Sequence, residues 1–381
     1  MTSWITSLLL AVAGAALAQE APILVGAAVS RTGAQAPLAD GYGKALLLWQ
    51  DEVNATGGLL GRKVELRLLD DASQAGRAGA LYGELIRQHK ADLLIGPYGS
   101  AATLLAAAEA ERARRVMING AGPARAVHRR APKFVFQSVA PYSVYGTGVV
   151  ELAKAAGCGS VFIAARGEVA AAEMAAGALE AAQRRGFDIT TVETYSGATS
   201  DFDPMATAFI AAGTQAWIAF GEARDAADMT IAFKRHYTAP GLFFVAAASQ
   251  PRFVEFTGQD AERSFGLLRY DARFATPSNA KFVQAFSRKW SAKPSAAAAE
   301  GYAAATVMAE AVRRAGSLDQ EKLREALARL ETGTVLGSYR VNPANGEQVG
   351  IRTAVAQILR GRPEIVWPPA WQTAEANIKC H

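Results

Sequence analysis

The sequence has little of what most catalytic and nucleic-acid-binding chains carry. Its four histidines, His89, His128, His236 and His381, are scattered through 381 residues and share no metal-ligand spacing. There is no Gly-x-Ser-x-Gly elbow and no His-Glu-x-x-His, and Gly41-Tyr42-Gly43-Lys44 lacks the spacing of a phosphate loop. These absences predict no catalysis, no metal and no cofactor. Cysteine is scarce as well: Cys158 and Cys380 are the only two, at a spacing wrong for a zinc or redox motif. The net charge of +5 is modest and spread along the chain. Its densest basic cluster, Arg125 to Lys133, has no interleaved aromatic residues. It reads as a solvated loop rather than the concentrated stripe of a nucleic-acid site, so no nucleic-acid partner is expected.

Long apolar runs are also missing. Beyond the N-terminus no stretch reaches the ~18 consecutive apolar residues that a membrane-spanning helix needs. Leu8 to Leu17 reads LLLAVAGAAL and ends in Ala16-Leu17-Ala18, a small-x-small cleavage signature. Too short to cross a bilayer, it reads as a secretory signal peptide over residues 1–18, although the seven residues before it carry no Lys or Arg. A buried N-terminal helix is the alternative. No Cys follows the cleavage site, so no lipid anchor is expected. Export permits a disulfide between Cys158 and Cys380, an option that the sequence leaves open.

What the sequence does have is alternation. Strand-like runs at Ile23–Val29, Val64–Leu69, Asp92–Ile95 and Val116–Ile118 are separated by helical patterns at Leu38–Asn54, Gln74–Gln88 and Ala101–Arg114. After Phe134–Phe136 the grammar restarts with a helix at Tyr142–Ala156. Strands at Ser160–Ala164, Ile189–Glu193, Ala216–Phe220 and Leu242–Ala246 then alternate with helices at Ala170–Arg185, Pro204–Ala212 and Ala223–Tyr237. Such series predict βαβ units and parallel sheets covered on both faces, and the length suits two domains. The last third differs. Helices are expected at Asn279–Trp290, Ala297–Ala315 and Gln320–Leu330, then a hairpin of Gly337–Val341 with Ile351–Leu359 around Asn342–Gly346.

Several segments carry a family resemblance. Asn54 to Leu66 (NATGGLLGRKVEL) is followed by the acidic pair Asp70-Asp71. Gly96-Pro97-Tyr98-Gly99-Ser100 follows the third strand, Asp201-Phe202 comes later, and a glycine-bounded segment runs from Gly337 to Gly350. In this order and spacing the chain, from Ile23 to Pro369, resembles the leucine/isoleucine/valine-binding proteins, the type I periplasmic binding proteins of ABC transporters. The resemblance implies an α/β fold of two Rossmann-like lobes joined by three crossovers, near Gln137–Pro141, Leu267–Asp271 and Thr332–Gly337. Lobe one would take residues 22–138 plus 272–332, and lobe two 139–271 plus 333–371, with 372–381 as a C-terminal tail. It also implies a monomer in the periplasm that closes by a hinge on a small solute and delivers it to ABC transporter permease subunits.

The same resemblance suggests the site residues. Tyr98, Gly99 and Ser100 precede a helix whose backbone N–H groups suit a carboxylate, although Ser100 also fits a plain N-cap. In the next loop Asn119, Ala121 and Gly122 match the place where the family offers backbone amides. The family's Thr hydroxyl position is Pro123 here, which has no donor. Glu222 resembles the acidic residue that holds a ligand ammonium, and it also fits an exposed Glu at a helix start. Phe202 matches an aromatic wall. Where the family carries a Tyr after the strand at Ser160, this chain has Arg166, which either binds a carboxylate in bidentate fashion or is solvated. Gln35, on the first-strand loop, and Tyr145, on the first-crossover helix, are candidates to line the cleft, and Tyr270 is either hinge packing or ligand wall. The family default is a branched-chain amino acid. The missing Tyr and Thr and the presence of Arg166 favour an aromatic or keto acid, or an amide. A ligand sensor of the same fold is the alternative function.

Overall fold

The computed structural model describes residues 20–380, and the expected signal peptide lies outside them. The first half-series is β1 (Ile23–Val29), α1 (Ala36–Ala55), β2 (Val64–Asp70), α2 (Ala78–Arg87), β3 (Leu93–Ile95), α3 (Ser100–Arg112), β4 (Met117–Asn119) and β5 (Val135–Gln137). All five strands are parallel, in the order β2-β1-β3-β4-β5. The apolar runs of β1, β3, β4 and β5 are buried because helices cover both faces. In α1 the residues Ala45, Leu46, Leu48, Trp49 and Val53 fall on one stripe and are buried.

The second series is α4 (Tyr142–Tyr145), α5 (Thr147–Ala155), β6 (Ser160–Arg166), α6 (Val169–Arg184), β7 (Asp188–Tyr195), α7 (Asp203–Ala211), β8 (Ala216–Phe220), α8 (Ala223–Arg235), β9 (Leu242–Val245), α9 (Pro251–Thr257) and β10 (Phe265–Leu268). The single helix expected over Tyr142–Ala156 is interrupted at Gly146. A Cβ there would come within 2.7 Å of Ala178 on α6, so the chain turns where the helices touch. Then come α10 (Asn279–Trp290), α11 (Ala296–Ala315), α12 (Gln320–Arg329), β11 (Thr332–Thr334), β12 (Gly337–Tyr339), β13 (Ala354–Leu359) and β14 (Arg362–Trp367). The second sheet has the order β14-β13-β10-β9-β8-β6-β7, parallel except for β13 and β14.

Two expectations are corrected. Gly337–Val341 does not pair with Ile351–Leu359. Instead β12 pairs with β11, while β13 pairs with β10 and β14. The turn at Asn342–Gly346 does form, closed by Gly346 N–H to Asn342 O at 2.8 Å. It docks on the first sheet, with Gln137 N–H donating to Gly346 O at 2.9 Å. This long-range partner draws the two runs apart. The third crossing also falls later than Thr332–Gly337. Tyr339 and Val341 belong to the first lobe's core, and the second sheet takes the chain back only at Ala354.

Residues from all three crossings meet in one apolar cluster. Val139 and Ala140, Tyr270 and Phe274, and Ile351 and Ala354 pack together with Phe282, Ala298 and Ala299 of α10 and α11. The two sheets are therefore held side by side through a shared core and not by loose linkers.

The C-terminal residues expected as a tail are strapped to the second lobe. Asn377 N–H donates to Gln357 Oε1 at 2.7 Å, and Lys379 N–H donates to Gly241 O at 3.0 Å. Cys158, just before β6, and Cys380 form a disulfide across a sequence separation of 222 residues, with Cα atoms 4.9 Å apart. Disulfides typically stabilise by about 2–4 kcal/mol, which for a lobe of this size is worth about 4–16 °C in melting temperature. Replacing both cysteines by Ser should lower the calorimetric melting temperature by that amount. Reductant should do the same to the unmodified protein and nothing to the double variant. A change under about 1 °C would contradict the strap's role.

Candidate functional site: the cleft between the lobes

In parallel α/β sheets, ligand sites form beyond the carboxyl ends of the strands. Here those ends supply Ser30 after β1, Tyr98–Ser100 after β3, Asn119 on β4, Arg166 on β6, Glu222 after β8 and Arg269 after β10.

On lobe one, Gly99 takes φ +91°, a left-handed conformation that favours glycine, and its N–H donates to Ala121 O at 3.1 Å. The first intrahelical bond of α3 runs from Thr103 N–H to Gly99 O at 3.0 Å. The N–H groups of Ser100, Ala101 and Ala102 precede it and carry the positive end of the helix dipole. Ser100 Oγ accepts from Ala124 N–H at 3.1 Å, which pins the following loop to the helix start. Gln35, exposed just before α1, joins Tyr98, Gly99, Ser100, Ser30 and Asp71 around a cavity of about 160 Å³. Asp71 is buried there, with Oδ1 accepting from Ser30 Oγ at 2.7 Å and Ser73 N–H at 2.8 Å.

Asn119 and Gly122 work differently from the expectation. The fully buried Asn119 accepts from Gly122 N–H at 2.8 Å, donates to Gly122 O at 2.9 Å and lies 3.1 Å from His128 Nε2. Its side chain and Gly122's backbone groups are consumed in shaping the loop. A Cβ on Gly122 would come within 2.7 Å of Thr103, so glycine lets the loop lie on α3. Ala121 gives its carbonyl to Gly99, and among the described residues its N–H has no partner.

On lobe two, Arg166 is neither solvated nor free. Its Nη1 donates to both oxygens of Asp225 at 3.1 Å, its Nε donates to Glu168 Oε1 at 2.9 Å, and Glu222 Oε2 lies 3.8 Å from Nη1. Asp225 is the hub, because it also accepts from Tyr195 Oη at 3.1 Å and from Glu222 N–H at 2.9 Å. The Asp225 hydrogen bonds hold Arg166 firmly charged, and burial together with Asp225 pushes the Tyr195 phenol up. Glu222, at the N-cap of α8, keeps 69% of its side chain exposed. One guanidinium thus faces three carboxylates, and this wall is net acidic. Phe202 is no wall: it is 1% exposed and packs edge-on against Tyr195 at 5.1 Å in the lobe core.

The floor of the cleft holds a group that the sequence reading missed. Arg269, one residue past β10, donates from Nη1 to Glu300 Oε1 at 2.9 Å. Glu300 lies in the second turn of α11 and is 5% exposed. The hydroxyls of Tyr98 and Tyr145 stand near the guanidinium, and Tyr142 lies near both it and Ser100. The Glu300 charge pushes Arg269's pKa up, while burial pushes those of Glu300 and Tyr145 up. Tyr145 is 3% exposed and packs in the apolar cluster of the crossings beside this pair. Tyr270 belongs to the same cluster, where its hydroxyl donates to Asn279 Oδ1 at 2.8 Å and its ring packs on Phe274 and Phe282. The sequence signal for Arg269 is its place directly after the apolar run Phe265–Leu268, which forms β10 where the resemblance implies a crossover at Leu267–Asp271.

His128 braces the Asn119 loop, and its Nδ1 lies 2.9 Å from Asn345 O. Burial holds its pKa below the usual 6.5. The unfolded chain therefore takes up this proton first as pH falls through about 6.5, and stability present above that pH is lost on acidification. Melting temperature should drop between about pH 7 and pH 5, and His128→Asn should flatten that slope. An unchanged slope in the variant would assign the dependence elsewhere.

Comparison with known proteins agrees with this architecture. An amino acid binding protein of Pseudomonas aeruginosa is 32% identical over 84 residues, a match that spans 22% of this chain and 22% of that relative. An ABC transporter substrate-binding protein from Desulfitobacterium hafniense, in complex with Leu, has a TM-score of 0.75 at 20% identity, over 91% of this chain and 100% of that one. A solute binding protein of an ABC transporter from R. palustris, in complex with benzoate, has a TM-score of 0.68 at 19% identity, over 94% of this chain and 99% of that one. At such identities the two structures establish the fold, a two-lobed α/β architecture. The family described as periplasmic binding protein matches residues 22–362, and the chain belongs to it.

Proposed function

We propose that this protein captures a small carboxylic acid between its lobes in the periplasm and presents it to the permease subunits of an ABC importer. The observation that carries this reading is the start of α3. Three backbone N–H groups there precede the first helical bond, at the carboxyl edge of the first sheet and opposite the charged second lobe. Such a helix start stabilises an anion without a side-chain charge. Leucine and benzoate, the ligands of the two structural relatives, differ in the rest of the molecule but share a carboxylate. Import is favoured over sensing because those relatives are described as ABC transporter proteins. The paired state of Arg166, Asp225 and Glu300 supports binding without turnover, since none is left as a free acid or base. Among the described residues no helix is long and apolar enough to cross a membrane. Export through residues 1–18 and action as a monomer belong to the same reading.

Capture proceeds by hinge motion about the apolar cluster at the crossings. Arg125 N–H donates to Glu173 Oε2 at 3.0 Å, and Tyr142 N–H donates to Pro123 O at 3.0 Å. The first of these joins the lobe-one loop to α6 of lobe two.

A thermal-shift screen of amino acids, aromatic acids, keto acids and their neutral amides tests this reading. A ligand specific for the folded state adds about 2.7 kcal/mol at a free concentration about 100 times its Kd. At least one carboxylate should raise the melting temperature by several degrees while its amide does not. Stabilisation by amides alone, with no carboxylate active, would contradict it.

A further inference from the structure

The polar groups of the cleft divide into those already consumed and those still able to bind. Arg166 is consumed, with its donors directed to Asp225 and Glu168 and Glu222 nearby. Asn119 is consumed within its own loop. Arg269 is different. One carboxylate, Glu300, receives one of its Nη groups, and 39% of its side chain stays accessible past the carboxyl end of β10. A guanidinium has five N–H donors, and a single bond to Glu300 with two tyrosine hydroxyls alongside leaves part of the fork open.

We propose that Arg269 is a second anion anchor of the cleft and that the captured solute is a dicarboxylic acid, an acidic amino acid included. One carboxylate lies on the N–H groups of Ser100, Ala101 and Ala102, and the other on the open edge of Arg269. This rests on the reading of the cleft as a solute site and adds the chemistry of the solute's far end.

Closure dries whatever faces Arg269. A leucine side chain or a bare phenyl ring against it would leave the guanidinium N–H groups without water and without an acceptor, a loss larger than an ordinary unpaired donor because the group is charged. A carboxylate satisfies the fork with two parallel hydrogen bonds. The surroundings fit this occupant. Tyr98 and Tyr145 have hydroxyls near the guanidinium, and Tyr142 lies near both Arg269 and Ser100. Glu300 acts as a positioning residue. Reaching from α11 of lobe one, it holds the Arg269 side chain at the floor and keeps it from swinging to the acidic wall of Glu168 and Glu222. Because Glu300 is buried, a solute cannot substitute for it, and the accessible part of Arg269 is what a solute can reach.

The test is isothermal titration of the full mature chain with succinate, glutarate, adipate and L-glutamate, against the matched monoacids butyrate, valerate and hexanoate, L-leucine and benzoate. The preferred diacid should bind at least about 30-fold more tightly than its matched monoacid, the ratio expected for one charge-assisted hydrogen-bonded group. Arg269→Gln should erase that ratio by weakening the diacid, and should tighten the monoacid because no unpaired charge is then dried against its apolar end. Arg269→Lys, which keeps the charge and loses the fork, should retain part of it and guards against a folding defect in the Gln variant. Glu300→Gln should weaken diacid binding while monoacid binding survives. Monoacids that bind as well as diacids, or an Arg269→Gln variant with an unchanged ratio, would overturn the second anchor and leave carboxylate capture standing. Failure of every acid to bind would overturn the underlying reading of the cleft as well.

Discussion

Three passages of the chain between two parallel sheets converge on one apolar cluster, and that shared packing sets how the carboxyl edges of the sheets oppose each other. Val139, Tyr270, Phe274, Ile351 and Ala354 come from different crossings and still bury against the same α10 and α11 side chains. Each crossing alone would be a flexible linker. Packed together they share one buried apolar core, about which the proposed closure of the lobes would turn. Arg269 and Glu300 extend this core into the cleft, where a buried carboxylate of one lobe meets a guanidinium of the other.

The electrostatics of the cleft follow from the same arrangement. On lobe two, Asp225 gathers Arg166, the Tyr195 hydroxyl and the Glu222 amide, which fixes the start of α8 and leaves an excess of negative charge. On lobe one there is no side-chain cation at the start of α3, so the helix dipole and the free N–H groups provide the positive potential. In the proposed site the solute meets a helix end, an acidic wall and a guanidinium, each made by a different part of the chain.

Much of the fold was legible in the sequence because the signals are local. The runs at Ile23–Val29 and Ala216–Phe220 carry the apolar continuity of buried parallel strands, and the stripe of Leu46, Trp49 and Val53 has helical spacing. What was not legible depends on distant partners. Phe265–Leu268 becomes a strand because β13, nearly a hundred residues later, pairs with it. Gly337–Tyr339 turns to Thr332–Thr334 because the following turn docks on Gln137. The candidate site divides in the same way. The loop at Tyr98–Ser100 was legible, since glycine and serine at a helix start have local meaning. Whether Arg166, Phe202 or Asn119 faces the cleft was not, because Asp225, Tyr195 and Gly122 decide it by contact. Arg269 was overlooked because its importance comes from Glu300, which lies 31 residues away.

The most direct measurement is a crystal structure of the protein bound to its tightest acid. The account predicts the solute between closed lobes, with one carboxylate within hydrogen-bond distance of the Ser100–Ala102 amides, the other on Arg269, and the Arg269–Glu300 pair intact. A solute that leaves the α3 amides and Arg269 untouched, or that places an apolar group against Arg269, would contradict it.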